Sequence, residues 1–328
     1  MSTRIETELT YLEAVRLALS DAMAADPAVV LWGEDIGRYG GAFGVTRGLL
    51  EHFGPSRVVD TPISEAAVTG MAVGAAMLGL RPVVEIMFMD FVSLTMDALC
   101  NHAAKIHYMF NGQYRVPLVV RTPMGAGRGY GPSHSQSLAA WFAHVPGIKV
   151  AVPSTVADAY GLLRAAIDDP NPVLFLEHKM LYAASAKDAV LCDDERLGCA
   201  RVCRAGKDVT VVACSHGVTI ALQASELLAA EGVEVEIVDL RTIRPLDADT
   251  VAASCSRTGR ALVLCEEYPF GGVAAELCAL IQARCWDELK APVARLTGCD
   301  TPIPCAPSLE AGWLPTVADV CRTVKELL

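Results

Sequence analysis

Residues 82–121 read PVVEIMFMDFVSLTMDALCNHAAKIHYMFNGQYRVPLVVR, and this stretch decides the fold class. It begins with an apolar run (82–87), continues through a segment of helical character (91–109) and ends in a second apolar run (116–121). A buried strand, a helix and another buried strand in succession are typical of a βαβ unit with parallel strands. The stretch therefore predicts a parallel sheet covered by helices.

The same alternation extends in both directions along the chain. The further predicted strands are 29–32, 57–60, 149–152, 173–176, 209–213, 233–240 and 261–264. The further predicted helices are 10–25, 65–77, 155–167, 218–230, 247–255 and 273–285. The first helix begins with a capping box, in which Thr10 and Glu13 each satisfy an unpaired backbone amide of the other. Continuous apolar strands that alternate with helices predict a sheet buried on both faces.

The alternation is interrupted once, where charges cluster between residues 183 and 207. We therefore predict an α/β fold with two doubly wound domains, at 1–190 and 208–328, joined by a linker at 191–207. The Pro-rich tail at 301–307 is expected to be extended.

The composition is apolar for a chain of 328 residues, with 52% hydrophobic and 20% charged residues and a mean hydropathy of +0.36. No membrane span is expected, because the longest weakly polar stretch (68–80) ends at Arg81 and a spanning helix needs about 20 apolar residues. The polar first ten residues predict no signal peptide. Burial against partner subunits is the better explanation, so we expect an oligomer.

The formal net charge of −11 excludes the basic surface that nucleic-acid binding requires. An acidic surface instead fits docking to basic partners. The twelve cysteines are scattered and form no CxxC motif. They predict small buried hydrophobic side chains, with no disulfide framework or zinc site.

Two residues are candidates for chemistry. Glu65 begins a helix that carries no other charge before Arg81, so burying its carboxylate requires a hydrogen-bonding partner. The alternative is an ordinary acidic residue at a helix N-terminus. His134 follows the glycine-rich segment 125–131, which lacks the Lys-Ser/Thr of a P-loop and reads as a flexible loop. Catalytic residues gather in such loops of open α/β sheets, and the alternative is an ordinary loop histidine.

A series of short motifs, in order and with compatible spacing, resembles the beta subunits of thiamine-diphosphate-dependent 2-oxo acid dehydrogenases, a transketolase-like family. The motifs are Gly33-Glu-Asp35, Gly40-Gly-Ala-Phe43, Thr46-Arg-Gly-Leu49, Asp60-Thr-Pro-Ile-Ser-Glu65, Gly79-Leu-Arg-Pro82, Phe88-Met-Asp-Phe91, His134-Ser-Gln136, Pro146-Gly-Ile-Lys-Val150, Asp239-Leu-Arg-Thr242, Thr301-Pro-Ile-Pro304 and Leu314-Pro-Thr316. The resemblance covers essentially the whole chain.

The resemblance implies specific roles for these residues. Glu65 matches the glutamate that hydrogen-bonds the aminopyrimidine of thiamine diphosphate and promotes formation of the reactive ylide, and the cofactor then supplies the electron sink. Phe91 matches the aromatic residue that packs on the pyrimidine ring, and Glu34 and Phe88 are also placed at the cofactor. His134 matches the histidine that assists reductive acylation of a lipoyl group.

The resemblance also implies metals and partners. No Gly-Asp-Gly motif occurs in this sequence, so Mg²⁺ and the cofactor diphosphate are expected on an alpha subunit in an α2β2 heterotetramer. The first domain would bind the pyrimidine, and the second would mediate dimerisation and dock a lipoyl-bearing acyltransferase core. Asp300 and Glu310 are candidate contacts for a basic domain of that core, with an ordinary solvated face as the alternative. A potassium site would comprise Leu118, Ala166, Ile167, Asp169 and Asn171.

The resemblance leaves alternatives open. Pyruvate is the favoured 2-oxo acid, while an acetoin dehydrogenase or a branched-chain 2-oxo acid dehydrogenase would share these motifs. A non-catalytic scaffold subunit is a third alternative, against which the joint presence of Glu65, Phe91 and His134 argues. The lack of a presequence favours the bacterial cytoplasm over the mitochondrial matrix.

Overall fold

A computed structural model describes residues 2–5, 7–193 and 195–328. The chain divides into two compact units. The first unit comprises Met1–Met124 and Trp141–Leu197, and the second comprises Gly125–Ala140 and Gly198–Leu328. The glycine-rich segment thus groups with the second unit, although it follows a strand of the first.

The first unit is an α/β structure. Its strands are β1 (Ser2–Arg4), β2 (Leu9–Thr10), β3 (Val29–Gly33), β4 (Val58–Asp60), β5 (Arg81–Glu85), β6 (Val119–Met124), β7 (Lys149–Ala151), β8 (Val173–His178), β9 (Ser185–Ala186) and β10 (Val190–Cys192). Its α-helices are α1 (Tyr11–Ala25), α2 (Leu49–Phe53), α3 (Glu65–Met77), α4 (Met89–Val92), α5 (Ala104–Met109), α6 (Ala139–Ala143), which begins in the second unit, and α7 (Val156–Asp168).

Six of these strands form a parallel arrangement in the order β7-β8-β6-β5-β3-β4. Every residue of β6 and β8 is buried, as are four of the five residues of β3 and of β5. Helices α1 and α7 contribute Tyr11, Leu19 and Leu163 to the same hydrophobic core as β3, β5 and β8. The predicted parallel sheet covered by helices is confirmed.

Local sequence signals explain where the helices begin. Thr10 and Glu13 form the predicted capping box, with Thr10 N–H donating to Glu13 at 2.9 Å and Glu13 N–H donating to Thr10 Oγ1 at 3.2 Å. Helix α3 spans the predicted residues.

The single helix predicted for 91–109 was wrong, because a 3₁₀ turn (Ser93–Thr95) and a π-helical segment (Asp97–Ala103) separate α4 from α5.

The second unit is a smaller α/β structure. Its strands are β11 (Arg201–Arg204), β12 (Val209–Ala213), β13 (Val235–Asp239), β14 (Thr242–Arg244), β15 (Ala261–Leu264) and β16 (Ala294–Leu296). Its helices are α8 (His216–Ala230), α9 (Ala248–Thr258), α10 (Val273–Arg284), α11 (Pro307–Trp313) and α12 (Val317–Leu327). One sheet has the order β11-β13-β12-β15-β16, in which only the β11–β13 pair is antiparallel. The predicted α/β class of both units is confirmed.

The structure adds elements and corrects one interpretation. The helices α11 and α12 were not predicted, although Thr316 and Asp319 form a capping box at the start of α12.

Of the twelve free cysteines, Cys255, Cys265 and Cys285 are buried, while Cys199, Cys299 and Cys305 are exposed. The interpretation of the cysteines as buried hydrophobic residues therefore holds only for some of them. Within the described ranges, no helix is long and apolar enough to cross a membrane.

The turn before β7 supplies a test of the packing in the first unit. Gly147 has φ +104°, and a Cβ added there would overlap the carbonyl oxygen of Ala104. Gly79 has a similar φ of +101° but open space around it. We expect Gly147→Ala to lower the free energy of unfolding by about 1–3 kcal/mol more than Gly79→Ala, because both add backbone strain but only the former adds overpacking. Urea denaturation of the two variants measures the difference, and equal losses would contradict the close approach.

Candidate active site

The site is organised by three neighbouring strands whose carboxyl ends lie level. In the β3–β4 pair, Gly33 is opposite Asp60, and in the β3–β5 pair it is opposite Glu85. The residues that follow these three positions therefore emerge at one edge of the sheet. This is the edge at which open parallel α/β sheets bind their ligands.

Two acidic side chains occupy this edge. Glu34 directly follows β3, and Glu65 follows β4 as the first residue of α3. Their exposed fractions are only 7% and 8%. Burial raises the pKa of the Glu34 carboxyl, and the negative charge of Glu65 adds to this shift, while the Ser64 backbone N–H donates to Glu34 and opposes it. Because the repulsion between the two carboxylates falls when one of them holds a proton, the pair can hold a proton at this edge.

Aromatic side chains border the same edge. Phe88 and Phe91 follow β5, and their ring centroids lie 6.3 Å apart in an edge-to-face arrangement. Phe43 packs edge-to-face on Phe88 at 5.7 Å. Phe43, Phe88 and Phe91 are each partly exposed, so they offer apolar ring surface beside the buried acids.

The chemistry of these groups fits a flat nitrogen heterocycle such as the aminopyrimidine of thiamine diphosphate. A buried carboxyl group can hydrogen-bond a ring nitrogen, and the phenylalanine rings can pack on an aromatic face. The structure therefore brings Glu34, Glu65, Phe88 and Phe91 to one sheet edge. His134 belongs to the second unit.

In the second unit, the segment that carries His134 is held by several polar contacts. Glu266 accepts from Ala126 N–H at 2.6 Å, and Glu310 accepts from Gly127 and Gly129 N–H at 2.9 and 2.8 Å. The His134 Nδ1 lies 3.0 Å from Ser133 Oγ. The segment was predicted to be flexible, and the structure instead shows a hydrogen-bonded loop.

Comparison with known proteins identifies two domains. Residues 7–185 match the transketolase pyrimidine-binding domain, and residues 198–320 match the transketolase C-terminal domain. A mitochondrial pyruvate dehydrogenase E1 component subunit beta-2 from Oryza sativa subsp. japonica is 48% identical over 322 residues, which are 97% of this chain and 86% of that protein. The corresponding E1 beta subunit of Rhizobium meliloti is 46% identical over 97% of this chain and 69% of its own length. That of Rickettsia bellii is 43% identical over 98% of each chain. This chain belongs to the pyruvate dehydrogenase E1 beta-subunit family.

Solved structures agree on the fold of this E1 beta-family chain. A structure described as a split gene transketolase, inactive beta4 tetramer, superposes with a TM-score of 0.79, at 22% identity and with 98% of each chain covered. A transketolase from Leishmania mexicana gives a TM-score of 0.71 at 17% identity, covering 99% of this chain and 46% of its own. The resemblance predicted from the sequence motifs and the transketolase-like fold are both confirmed.

Sequence reasoning missed a buried charge cluster in this E1 beta-family chain. The Arg121 guanidinium, at the centre of the cluster, forms two parallel hydrogen bonds with the Glu177 carboxylate, at 2.7 and 2.6 Å, and also contacts Glu85. The Tyr182 hydroxyl donates to Glu177 at 2.8 Å. All four side chains are buried. The sequence did carry a signal for this cluster. Glu85, Arg121 and Glu177 each lie in or next to a predicted strand whose other residues are apolar.

The cluster supports the aromatic residues at the sheet edge. Tyr182 packs against Phe43 at 5.2 Å between ring centroids, and the buried Lys179 places Nζ 5.3 Å from the Phe88 ring centroid. Burial raises the pKa of the Glu85 carboxyl even though Arg121 opposes the shift. Burial works against the charged guanidinium, yet the Glu177 and Glu85 carboxylates raise the pKa of Arg121 overall. The guanidinium therefore stays charged inside the first unit.

Four of the five residues matched to a potassium site, Leu118, Ile167, Asp169 and Asn171, already have other partners. The Ile167 carbonyl oxygen accepts from Arg81 at 2.8 Å, and the Leu118 carbonyl oxygen accepts from Val173 N–H at 2.8 Å. The Asp169 carboxylate pairs with Lys149 and accepts from Asn171 N–H at 2.9 Å. The cationic side chains of Arg81 and Lys149 thus already contact oxygen atoms that belong to the expected potassium site. The potassium assignment stays a prediction and carries no step of the proposed function.

The structure corrects the role expected for Glu310. It was a candidate surface contact, with a solvated face as the alternative, but only 3% of it is exposed and its carboxylate holds the glycine-rich loop. Neither surface role is available to it. Asp300, the other candidate contact, is exposed.

The charge cluster generates a stability prediction. We expect Arg121→Met to lower the free energy of unfolding by about 3–5 kcal/mol, because it leaves two buried carboxylates without their cation. Arg322→Met is the matched control, since Arg322 is exposed and pairs with Asp319 on the surface of α12, where such a pair contributes about 0–1 kcal/mol. Chemical denaturation of both variants checks this. A loss below about 1 kcal/mol for Arg121→Met would contradict a buried ionic cluster.

Proposed function

We propose that this chain is the beta half of a thiamine-diphosphate-dependent pyruvate dehydrogenase that is active only with an alpha subunit. The observation that carries the proposal is the buried acid pair, Glu65 and Glu34, at the level ends of three parallel strands in a chain of the E1 beta family. Pyruvate is the proposed 2-oxo acid because the relatives are named as pyruvate dehydrogenase subunits.

The chain's own residues would position the cofactor ring and exchange a proton with it. Thiamine diphosphate, when bound, supplies the electron sink for decarboxylation of the 2-oxo acid. Glu65 would hydrogen-bond the aminopyrimidine ring nitrogen and exchange a proton with it. Glu34 would retain a proton at the same sheet edge, because burial and the Glu65 charge raise the pKa of its carboxyl. Phe91 and Phe88 would pack against the ring. His134 would stabilise the thiolate that forms when an acyl group passes to a lipoyl group.

An exposed apolar face on α3 supports the need for a partner. Ile63, just before the helix, and Leu78, just after it, are 81% and 89% exposed. Between them, Gly70 and Gly74 lie four residues apart with open space where a Cβ would be. Large exposed apolar surface of this kind marks subunit interfaces. The helix that begins with Glu65 would thus be covered in an α2β2 assembly, whose alpha subunits would hold Mg²⁺ and the diphosphate.

We further propose that residues 1–190 bind the pyrimidine, that 191–207 form a linker, and that 208–328 mediate dimerisation and dock the acyltransferase core. The support is the pair of transketolase domain matches, together with a net charge of −11 that favours a basic docking domain. Asp300 remains a candidate contact for such a domain because it is exposed.

Co-expression tests the proposal directly. The chain is purified with a family alpha subunit, loaded with thiamine diphosphate and Mg²⁺, and assayed by reduction of an artificial electron acceptor. Pyruvate, branched-chain 2-oxo acids and acetoin form the substrate panel, with the chain alone as control. We expect activity only in the complex and with pyruvate preferred. Preference for another substrate would reassign the enzyme, and a folded but inactive complex would indicate a scaffold subunit.

A substitution at Glu65 tests its proposed proton exchange with the cofactor ring. In that complex, Glu65→Gln is expected to reduce decarboxylation at least about 100-fold, because an amide cannot exchange a proton with the ring nitrogen. Assembly should be preserved, since glutamine has nearly the same size and shape. Size-exclusion chromatography verifies the tetramer before activity is measured. A fully assembled Glu65→Gln complex with near-normal turnover would remove Glu65 from the mechanism.

A further inference from the structure

Helix α11 is firmly anchored in the second unit. Trp313 at its end donates from Nε1 to the Thr301 carbonyl at 2.9 Å and packs edge-to-face on Tyr268 at 5.7 Å. Trp313, Ile303 and Ala126 form one buried apolar cluster. Ala126 belongs to the glycine-rich loop, so the helix and the loop share a small core.

Glu310 extends from this helix into the loop. Its two carboxylate oxygens accept from Gly127 and Gly129, one oxygen for each amide. Gly125, Gly127, Gly129 and Gly131 all have positive φ, between +69° and +96°. Backbone turns of this kind direct N–H groups into a concave anion-binding surface. The anion held there is a side chain of the protein itself, which accounts for a glycine-rich loop without the lysine of a phosphate-binding loop.

The same loop is fixed again on either side of His134. Before it, a Cβ at Gly131 would overlap the Cys305 sulfur, and the Gly131 carbonyl accepts from His134 N–H at 3.3 Å. After it, the Tyr268 hydroxyl lies 3.4 Å from Gln136 Oε1. The tail segment 301–313 and the segment around Tyr268 thus both contact the loop close to His134.

We propose that Glu310 is a positioning residue for His134, acting by fixing the glycine-rich loop from helix α11. The catalytic part of this inference rests on the proposed function, in which His134 assists transfer to a lipoyl group. The loop-fixing part rests only on contacts within the second unit. Glu310→Gln would keep one acceptor oxygen and release one of the two loop amides, because the new NH2 group is a donor that faces an N–H group.

Limited proteolysis tests the loop-fixing part without any activity. Arg128 is exposed between Gly127 and Gly129, so trypsin can report opening of the loop. We expect Glu310→Gln to accelerate cleavage after Arg128 about tenfold in the purified chain. Glu267→Gln is the matched control, because Glu267 is also buried in the second unit but accepts from Ala274 N–H at 2.6 Å in the first turn of α10. Mass spectrometry identifies the cleavage site.

Activity of the assembled complex tests the positioning part. Glu310→Gln should lower lipoyl acylation about tenfold while changing artificial-acceptor reduction less than about twofold, because only the first assay includes the transfer that His134 assists. Glu310→Asp, which keeps two acceptor oxygens, should recover part of the loss. A merely structural lesion would reduce both assays together.

Three results would overturn the proposal. They are unchanged cleavage in both Glu310 variants, equal acceleration by Glu267→Gln, and faster cleavage with normal lipoyl acylation. If the wild-type complex acylates no lipoyl group, the proposed function fails. The proteolysis result then still decides whether Glu310 fixes the loop.

Discussion

The first unit depends on a buried charge cluster in which the Arg121 guanidinium lies between Glu85 and Glu177. These residues lie on the adjacent parallel strands β5, β6 and β8, and Glu85 is directly opposite Arg121 in the register. Such a cluster is weak grounds for high stability, because desolvation offsets much of the attraction. We infer that the main effect of the cluster is to fix the register of β5, β6 and β8. A slip of one residue would turn Arg121 to the other face of the sheet and leave three buried charges unpaired.

The register in turn defines the proposed active site. Glu85 ends β5 level with Gly33 and Asp60, and it accepts from the Ala42 backbone N–H, next to Phe43. The charge cluster thus ties the end of the sheet to the aromatic residues that border Glu34 and Glu65. Burial raises the pKa of the Glu34 carboxyl at that edge, and the charge of the neighbouring Glu65 adds to the shift. The buried charge cluster therefore supports the sheet edge at which the Glu34 carboxyl favours its protonated form.

The sequence allowed prediction of features that depend on local pattern. Apolar runs identified the parallel strands, and the uncharged segment after Glu65 marked that residue as unusual. Features that depend on distant pairing were missed or misread. Glu310 looks like an ordinary helical surface acid, since its partners lie 181 and 183 residues earlier in the chain. The break in the helix predicted for 91–109 could not be predicted either, because residues 91–109 contain no Pro or Gly to mark the π-helical segment.

Helix α3 links the chemistry to assembly. Its first residue is the buried Glu65, while its exposed face carries glycines and, at either end, large apolar side chains. A helix with two glycines four residues apart is intrinsically weak, at a cost of about 1 kcal/mol for each glycine relative to alanine. Packing of a partner against that face would restore the lost rigidity, and with it the orientation of the carboxyl group at the N-terminus of the helix. The requirement for a second subunit would then come from the beta chain itself, because Glu65 is held by a helix that is complete only when covered.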